Sequence, residues 1–360
     1  MPDAPYETRI FNYPGWLDNP YVRMLQAVAI ERGFEPTGRT TFRDTLIELT
    51  SPERRGLVHV QWPTPVTEDA EDEADAERRV DLFLDALFTA KTLGRPILWT
   101  VHNVLPHDTA YRPQAVRLHR VLGKLADAIH VLSPHTVEHA RHFYSIPPEK
   151  VVLIEHCSYD GVYGDPVPAA EARAAVGASA DRATIMFFGW IRPYKGIVDL
   201  SRATKLAVSR GANLEVLIAG RPLGPVQNAL KSFDESGARI TRHLKRVLDE
   251  DLPSWFGAAD VLVLPYRRVL NSGTMHLAAT YGVPVLLPNE PHLVEDYGDQ
   301  AWIRFFDHDD PAESIAGLLA DEWFLAPEAR AAARAFAAAR PPRAMGEAYA
   351  DLVTRLIERR

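Results

Sequence analysis

Short, nearly uninterrupted apolar runs recur through the chain, each followed by a segment with helical spacing. In the first half they are Leu57–Trp62, Pro96–His102, Ala128–Leu132 and Val151–Ile154. In the second half they are Ala183–Phe188, Leu214–Ala219, Val261–Leu264 and Val283–Leu287. A strand that is apolar on both sides must be covered on both sides, and intervening helices supply the cover as well as the crossovers of parallel pairing. The pattern predicts an α/β fold of two successive doubly wound parallel-sheet domains. At 360 residues the chain is long enough for two cores. Ligands of such sheets bind beyond the carboxyl ends of the strands, so the residues just after each run are where chemistry is expected.

Local signals mark the boundaries. Asn19-Pro20 reads as an N-cap followed by proline at the first helical position, with Gly33 closing that helix. The segment Asp160–Asp181 has the composition of a connector and a short helix, which places the domain boundary near residue 165. The expected domains are therefore 1–165 and 166–335, followed by 336–360. The Ala-rich tail Pro327–Arg360 reads as helix interrupted at Pro341-Pro342, with 336–360 packing back toward the first domain. The acidic stretch Glu68–Glu77 reads as a solvated loop and first helical turn ahead of Val80–Leu93.

Composition removes several function classes. With 46% hydrophobic and 24% charged residues, the balance is that of a soluble globular protein. A formal charge of −8 argues against nucleic acid as a partner. One cysteine, Cys157, rules out an internal disulfide and a cysteine-based metal cage. No apolar run resembles a signal peptide or a membrane span, so the cytoplasm is the expected location.

Two segments in the second half carry phosphate-binding chemistry. In Gly189-Trp190-Ile191-Arg192-Pro193-Tyr194-Lys195-Gly196, directly after a strand, Arg192 offers a planar fork and Lys195 a point charge, a combination suited to a diphosphate. In Val261–Arg267 followed by Asn271-Ser272-Gly273-Thr274, a strand leads through small residues into a helix. Unsatisfied N–H groups and the dipole at that helix start favour an anion. Each segment alone also fits a plain loop or a capped helix, since Asn271 or Ser272 is a preferred cap. Together in one domain they point to a diphosphate.

The stretch Phe188–Gly196, Ala219-Gly220-Arg221-Pro222, Ala258-Ala259-Asp260 before Leu264-Pro265-Tyr266-Arg267, and Gly282-Val283-Pro284-Val285 resemble the donor half of glycosyltransferase family four. Trp99–His107 resembles members of that superfamily that build bacterial polysaccharides. The resemblance implies a GT-B fold, two Rossmann-like domains facing a central crevice, with the acceptor on the first domain and the nucleotide sugar on the second. It implies donor contacts from Gly189, Arg192, Lys195, Arg221, Tyr266, Arg267, Asn271, Ser272, Gly273 and Thr274, with the base near the loop after Ala219 and around Arg242–Val247. The donor is a substrate, and no separate cofactor is implied. Family four usually carries two glutamates separated by seven residues, and here those positions hold Val269 and Leu277. The Tyr-Arg and Ser-Gly pattern is similar to that of bacterial β-mannosyltransferases.

The implied reaction moves a hexose from GDP-mannose or a UDP-sugar to a carbohydrate or lipid-linked acceptor. Arg192, Lys195 and the Ser272–Thr274 amides would stabilise the leaving diphosphate without a metal. The missing glutamates favour inversion, which needs a general base. His102 at the end of Ile97–Val101 is the first candidate and Asp18 the second, with His107 and Asp108 nearby. His102 equally fits a residue that shapes its loop. His135, His139 and His142 follow helical spacing but read as an exposed face rather than a metal site. The basic amphipathic segment Arg112–Lys124 reads as a surface helix or as a peripheral contact with anionic lipid. A sugar-nucleotide epimerase or a non-catalytic nucleotide- or glycan-binding protein are the alternatives; an epimerase would need carboxylates that the two donor segments lack.

Overall fold

The apolar runs become strands of two separate sheets in the computed structural model, which describes residues 8–106 and 109–358. The first sheet contains β1 (Arg9–Tyr13), β2 (Glu35–Gly38), β3 (Leu57–Val60), β4 (Ile97–Val101), β5 (Ala128–Val131) and β6 (Val151–Leu153). The second contains β7 (Ala183–Phe188), β8 (Leu214–Ala219), β9 (Arg239–His243), β10 (Val261–Val263), β11 (Val285–Pro288) and β12 (Ile303–Phe306). The orders are β2-β1-β3-β4-β5-β6 and β12-β11-β10-β7-β8-β9, and every named pairing is parallel. Central strands such as β4 and β8 are buried at every position, which is why their sequences do not alternate. β2, β9 and β12 escape the apolar-run pattern because they are edge strands with polar residues. β1 escapes it because Asn12 interrupts its apolar run, although that side chain is buried.

The chain divides into two units. One runs to His156 and also holds the helix from Pro342; the other is Cys157–Pro341. The division falls ahead of residue 165 because the intervening residues are tied to the second unit. Ser158 N–H donates to Arg340 O (2.8 Å), Tyr159 N–H donates to Thr280 Oγ1 (2.9 Å), and Tyr159 and Tyr163 pack on the second core. The tail likewise leaves the second unit at Pro342 rather than at 336. Phe336 is buried there, its ring 5.0 Å from that of Trp302, so the helix Pro327–Ala338 belongs to the second core. The break expected at Pro341-Pro342 then separates it from the helix Pro342–Glu358. That last helix lies on the helix Pro20–Glu31 of the first unit, with Arg32 on Asp351 at 2.6 Å. Asn19 caps Pro20–Glu31 by accepting from Tyr21 N–H at 3.0 Å.

The acidic stretch leads into the helix Glu73–Thr92, where Asp72 caps by accepting from Asp75 N–H at 2.7 Å. The first unit also buries several histidine rings, among them His119 at 3% exposure and His130 at 0%. Burial pushes each of these two from 6.5 down to about 4, opposed by hydrogen bonds to Ala115 O and Ile154 O respectively. Between pH 6.5 and 4 the unfolded chain binds protons on these groups that the folded unit refuses, so stability rises with pH across that window and is level above it. Each ring contributes roughly 3 kcal/mol of that acid sensitivity. Urea unfolding at pH 7.5 and pH 5 should show a clear loss at the lower pH, and His119→Gln should reduce the difference; an unchanged midpoint in wild type contradicts neutral burial.

Candidate functional site

In the second unit the strand order reverses between β7 and β10, and the residues leaving these neighbouring strands form the candidate donor site. The exit from β7 is built on close backbone contact. Gly189 N–H donates to Ala219 O (2.9 Å), Ile191 N–H to Arg221 O (2.9 Å), and Leu223 N–H to Ile191 O (2.9 Å). Gly220 sits at φ +153°, and a Cβ there would lie 1.7 Å from Gly189 O, so no other residue fits without moving the loop. The turn Pro193–Lys195 ends at Gly196, φ +70°, where a Cβ would fall 1.8 Å from Pro265 O. The loops after β7 and β10 therefore touch through backbone, and Arg267 N–H donates to Tyr194 O (3.0 Å) to tie them again.

These contacts place Lys195. Its ammonium lies 5.2 Å from the ring centre of buried Tyr266, a cation–π arrangement, and 3.3 Å from where a Cβ on Gly189 would be. Arg192 is half-buried on the same loop. Ser272 occupies the cap position of the helix Gly273–Thr280 in extended backbone, but its side chain makes no capping hydrogen bond. The cap position is filled, yet the hydroxyl does not satisfy the first-turn amides of Gly273 and Thr274. Asn271 precedes it, half-buried. The structure thus gathers Gly189, Lys195 and Tyr266, with Arg192 on the same loop as Lys195.

Two further predicted donor residues make side-chain contacts of their own. Arg267 directs Nε and its fork to Asp199 Oδ2 (3.2 Å each), on the helix Ile197–Ser209, and so fastens the Lys195 turn to the β10 loop. Exposed Arg221 lies 5.7 Å from the ring of Trp190. His308 carries no signal in the sequence: its Nε2 is 3.3 Å from Arg267 O and 3.7 Å from Glu290 Oε1, contacts that only folding creates. An Asp-x-Asp stretch, Asp307-His308-Asp309, follows β12, and Asp309 N–H donates to Asp307 Oδ1 at 3.0 Å. Among the described residues no group of three His, Cys, Asp or Glu side chains is placed to hold a metal ion.

In the first unit the order reverses between β1 and β3. The loop after β1 carries exposed Trp16 and exposed Asp18; β3 leads into Gln61-Trp62, and β4 into His102. The His102 ring stacks on Trp62 (centroids 4.0 Å apart, 14° between planes) and meets the edge of Tyr21 at 5.1 Å. His102 Nε2 is 3.1 Å from Gln61 Oε1. Desolvation, then the neighbouring His130, His59 and His156, hold His102 well below 6.5 and so neutral at pH 7. Trp16 adds a second indole beside Trp62, at 5.6 Å. His107 and Asp108 lie outside the described residues. On the helix Arg112–Leu125, Arg117 pairs with Glu77 and Asp81 of Glu73–Thr92, and Arg112 covers Phe143 at 5.0 Å, so neighbours offset part of that basic face.

Known proteins match both units. The family described as "Glycosyltransferase Family 4" matches residues 32–157, and "Glycosyl transferases group 1" matches residues 182–321. The GDP-mannose:glycolipid 4-beta-D-mannosyltransferase of Xanthomonas campestris pv. campestris is 26% identical over 327 residues, covering 88% of this chain and 84% of the relative. The chain is a GT-B glycosyltransferase. Its fold agrees with Anabaena HepE in complex with UDP and glucose (TM-score 0.66, 14% identity, 96% of this chain and 99% of that one). WaaG, a glycosyltransferase of lipopolysaccharide biosynthesis, agrees similarly (TM-score 0.64, 14% identity, 96% and 99%). The transferase departs from paired-glutamate relatives in its core: Leu277 is buried and Val269 packs on the same apolar cluster, so neither position presents a hydrogen-bonding side chain.

Gly220→Ala tests the backbone contact under the donor loops. It should cost about 2–5 kcal/mol through strain and overlap with Gly189. Thermal unfolding should reveal the loss; a variant as stable as wild type would mean the two loops do not abut.

Proposed function

We propose that this transferase moves a hexose from a nucleotide diphosphate sugar to a carbohydrate or lipid-linked acceptor, with inversion and without a metal. The observation that carries the proposal is the Lys195 ammonium held over Tyr266 beside Gly189, at the strand-order reversal where a parallel sheet receives its ligand. GDP-mannose is the favoured donor, because the Xanthomonas relative that covers most of the chain is named for it; a UDP-sugar is the second choice. Lys195, Arg192 and the amides of Gly273 and Thr274 stabilise the charge that grows on the diphosphate as the sugar–oxygen bond breaks. His102, neutral at pH 7, takes the proton of the acceptor hydroxyl as that oxygen attacks the anomeric carbon. Asp18, exposed on the loop after β1, is the alternative base. No helix among the described residues is long and apolar enough to cross a membrane, so a lipid-linked acceptor would be met from the membrane surface.

The test is nucleotide release from a panel of sugar nucleotides, followed by NMR of the product anomer. Lys195→Ala should lower kcat/KM about 10²–10³-fold, the scale of losing one preorganised charge donor. His102→Ala should abolish turnover while nucleotide binding persists, and the acid limb of kcat should lie below pH 6.5. Full activity in Lys195→Ala sinks the donor-site reading. A product that keeps the donor's anomeric configuration sinks inversion and removes the need for a base, leaving the departing diphosphate to accept the proton.

A further inference from the structure

Three fully buried side chains of the first unit, His59, Thr100 and His130, join His102 through Gln61 in one hydrogen-bonded series. Its proton directions follow from a single carbonyl. Ile154 O can only accept, so His130 Nε2, 3.0 Å away, carries a proton and donates it. Burial pushes His130 down to about 4, so the ring is neutral at pH 7 and its Nδ1 is an acceptor. Thr100 Oγ1, 3.0 Å from that Nδ1, must direct its one proton there. Thr100 then only accepts from the other side, and His59 Nε2 donates to it at 2.8 Å.

Burial also holds His59 well below 6.5, so this ring is neutral and its Nδ1 accepts. Two donors share that nitrogen: the Tyr349 hydroxyl at 2.8 Å and Gln61 Nε2 at 3.3 Å. Tyr349 in turn accepts from Gln26 Nε2 at 3.2 Å, which leaves its own proton for His59. The Gln61 amide is therefore oriented, with nitrogen toward His59 and oxygen toward His102 Nε2. An amide oxygen accepts only, so His102 carries its proton on Nε2 and its lone pair on Nδ1. Reversing this tautomer alone would set two lone pairs face to face. Flipping Gln61 to compensate would set its oxygen against His59 Nδ1, and the mismatch would run back to a carbonyl that cannot donate.

We infer that Gln61, held by the His59–Thr100–His130 series and by Tyr349 of the returning helix, is a positioning residue that sets the tautomer of His102 and presents Nδ1 as the proton-accepting atom. The inference rests on the reading of His102 as the general base. The geometry suits this role, since residues 59 and 61, like 100 and 102, are two apart on neighbouring strands and their extensions, so each pair faces the same side. Stacking on Trp62 and the edge contact with Tyr21 hold the ring plane, while the series chooses which nitrogen is basic.

Long-range ¹H–¹⁵N NMR of the histidine rings in the wild-type protein reads the tautomers directly. His59, His102 and His130 should all be protonated on Nε2. Gln61→Leu should free the tautomer of His102 and lower kcat on the order of 10–100-fold, the usual effect of losing an outer partner that orients an imidazole. The donor KM should stay within about twofold. Gln61→Glu keeps an acceptor for His102 Nε2–H but sets its second oxygen against His59 Nδ1, so it should recover that signal and part of the kcat lost in Gln61→Leu, while its carboxylate moves the acid limb to higher pH. An Nδ1-protonated His102 in the wild type overturns the inference whatever the variants do. So does a Gln61→Leu enzyme with unchanged kcat and a folded spectrum, provided His102→Ala is inactive. Full turnover in His102→Ala instead removes the base reading, and the NMR assignment alone then decides whether Gln61 sets the tautomer.

Discussion

A parallel sheet covered by helices on both faces can present chemistry only at its ends, and the rest of this protein is arranged around that constraint. The central strands β4 and β8 have no solvent-facing side, so any reactive residue must lie just past a strand or be buried and fully hydrogen-bonded. Both solutions occur. Lys195 and the start of the helix Gly273–Thr280 lie past the ends of β7 and β10. His59, Thr100 and His130 lie within the first sheet and satisfy one another across three adjacent strands.

The candidate donor end depends on backbone proximity more than on side chains. Gly220 against Gly189, and Gly196 against Pro265, let the loops after β7, β8 and β10 approach more closely than any Cβ would allow. That approach carries the Lys195 ammonium over Tyr266. Arg267 ties into this arrangement through Asp199, which is 8% exposed. A cation beside a nearly buried carboxylate is held firmly, because breaking the pair would leave that carboxylate uncompensated.

The first unit uses polar groups inside the core, where an unmatched partner is costly and a complete network is rigid. Tyr349 matters here because it reaches the network from the helix Pro342–Glu358, far along the chain. That helix covers Pro20–Glu31 and at the same time donates to His59, so core packing and the orientation of His102 share one element. Histidines kept neutral by burial are suited to this role, since a charged ring would have to donate from both nitrogens and break the series.

Much of this architecture is legible in the residues alone. Continuous apolar runs determine the parallel sheets, because only strands buried on both faces lack alternation, and Gly, Arg, Lys and Ser mark the segments after β7 and β10. The absence of carboxylates at Val269 and Leu277 is equally plain. Edge strands, the division at His156 and the return at Pro342 are not, since they depend on which surface a residue meets rather than on local period. Nor can spacing show that Arg267 pairs with Asp199. By itself the sequence determined the fold class and marked the loops where chemistry is expected, since periodicity and backbone-permissive residues are local properties. Only the tertiary structure decided which nitrogen of His102 is basic, because that depends on hydrogen bonds among residues 59, 61, 100, 130 and 349, which folding alone brings together.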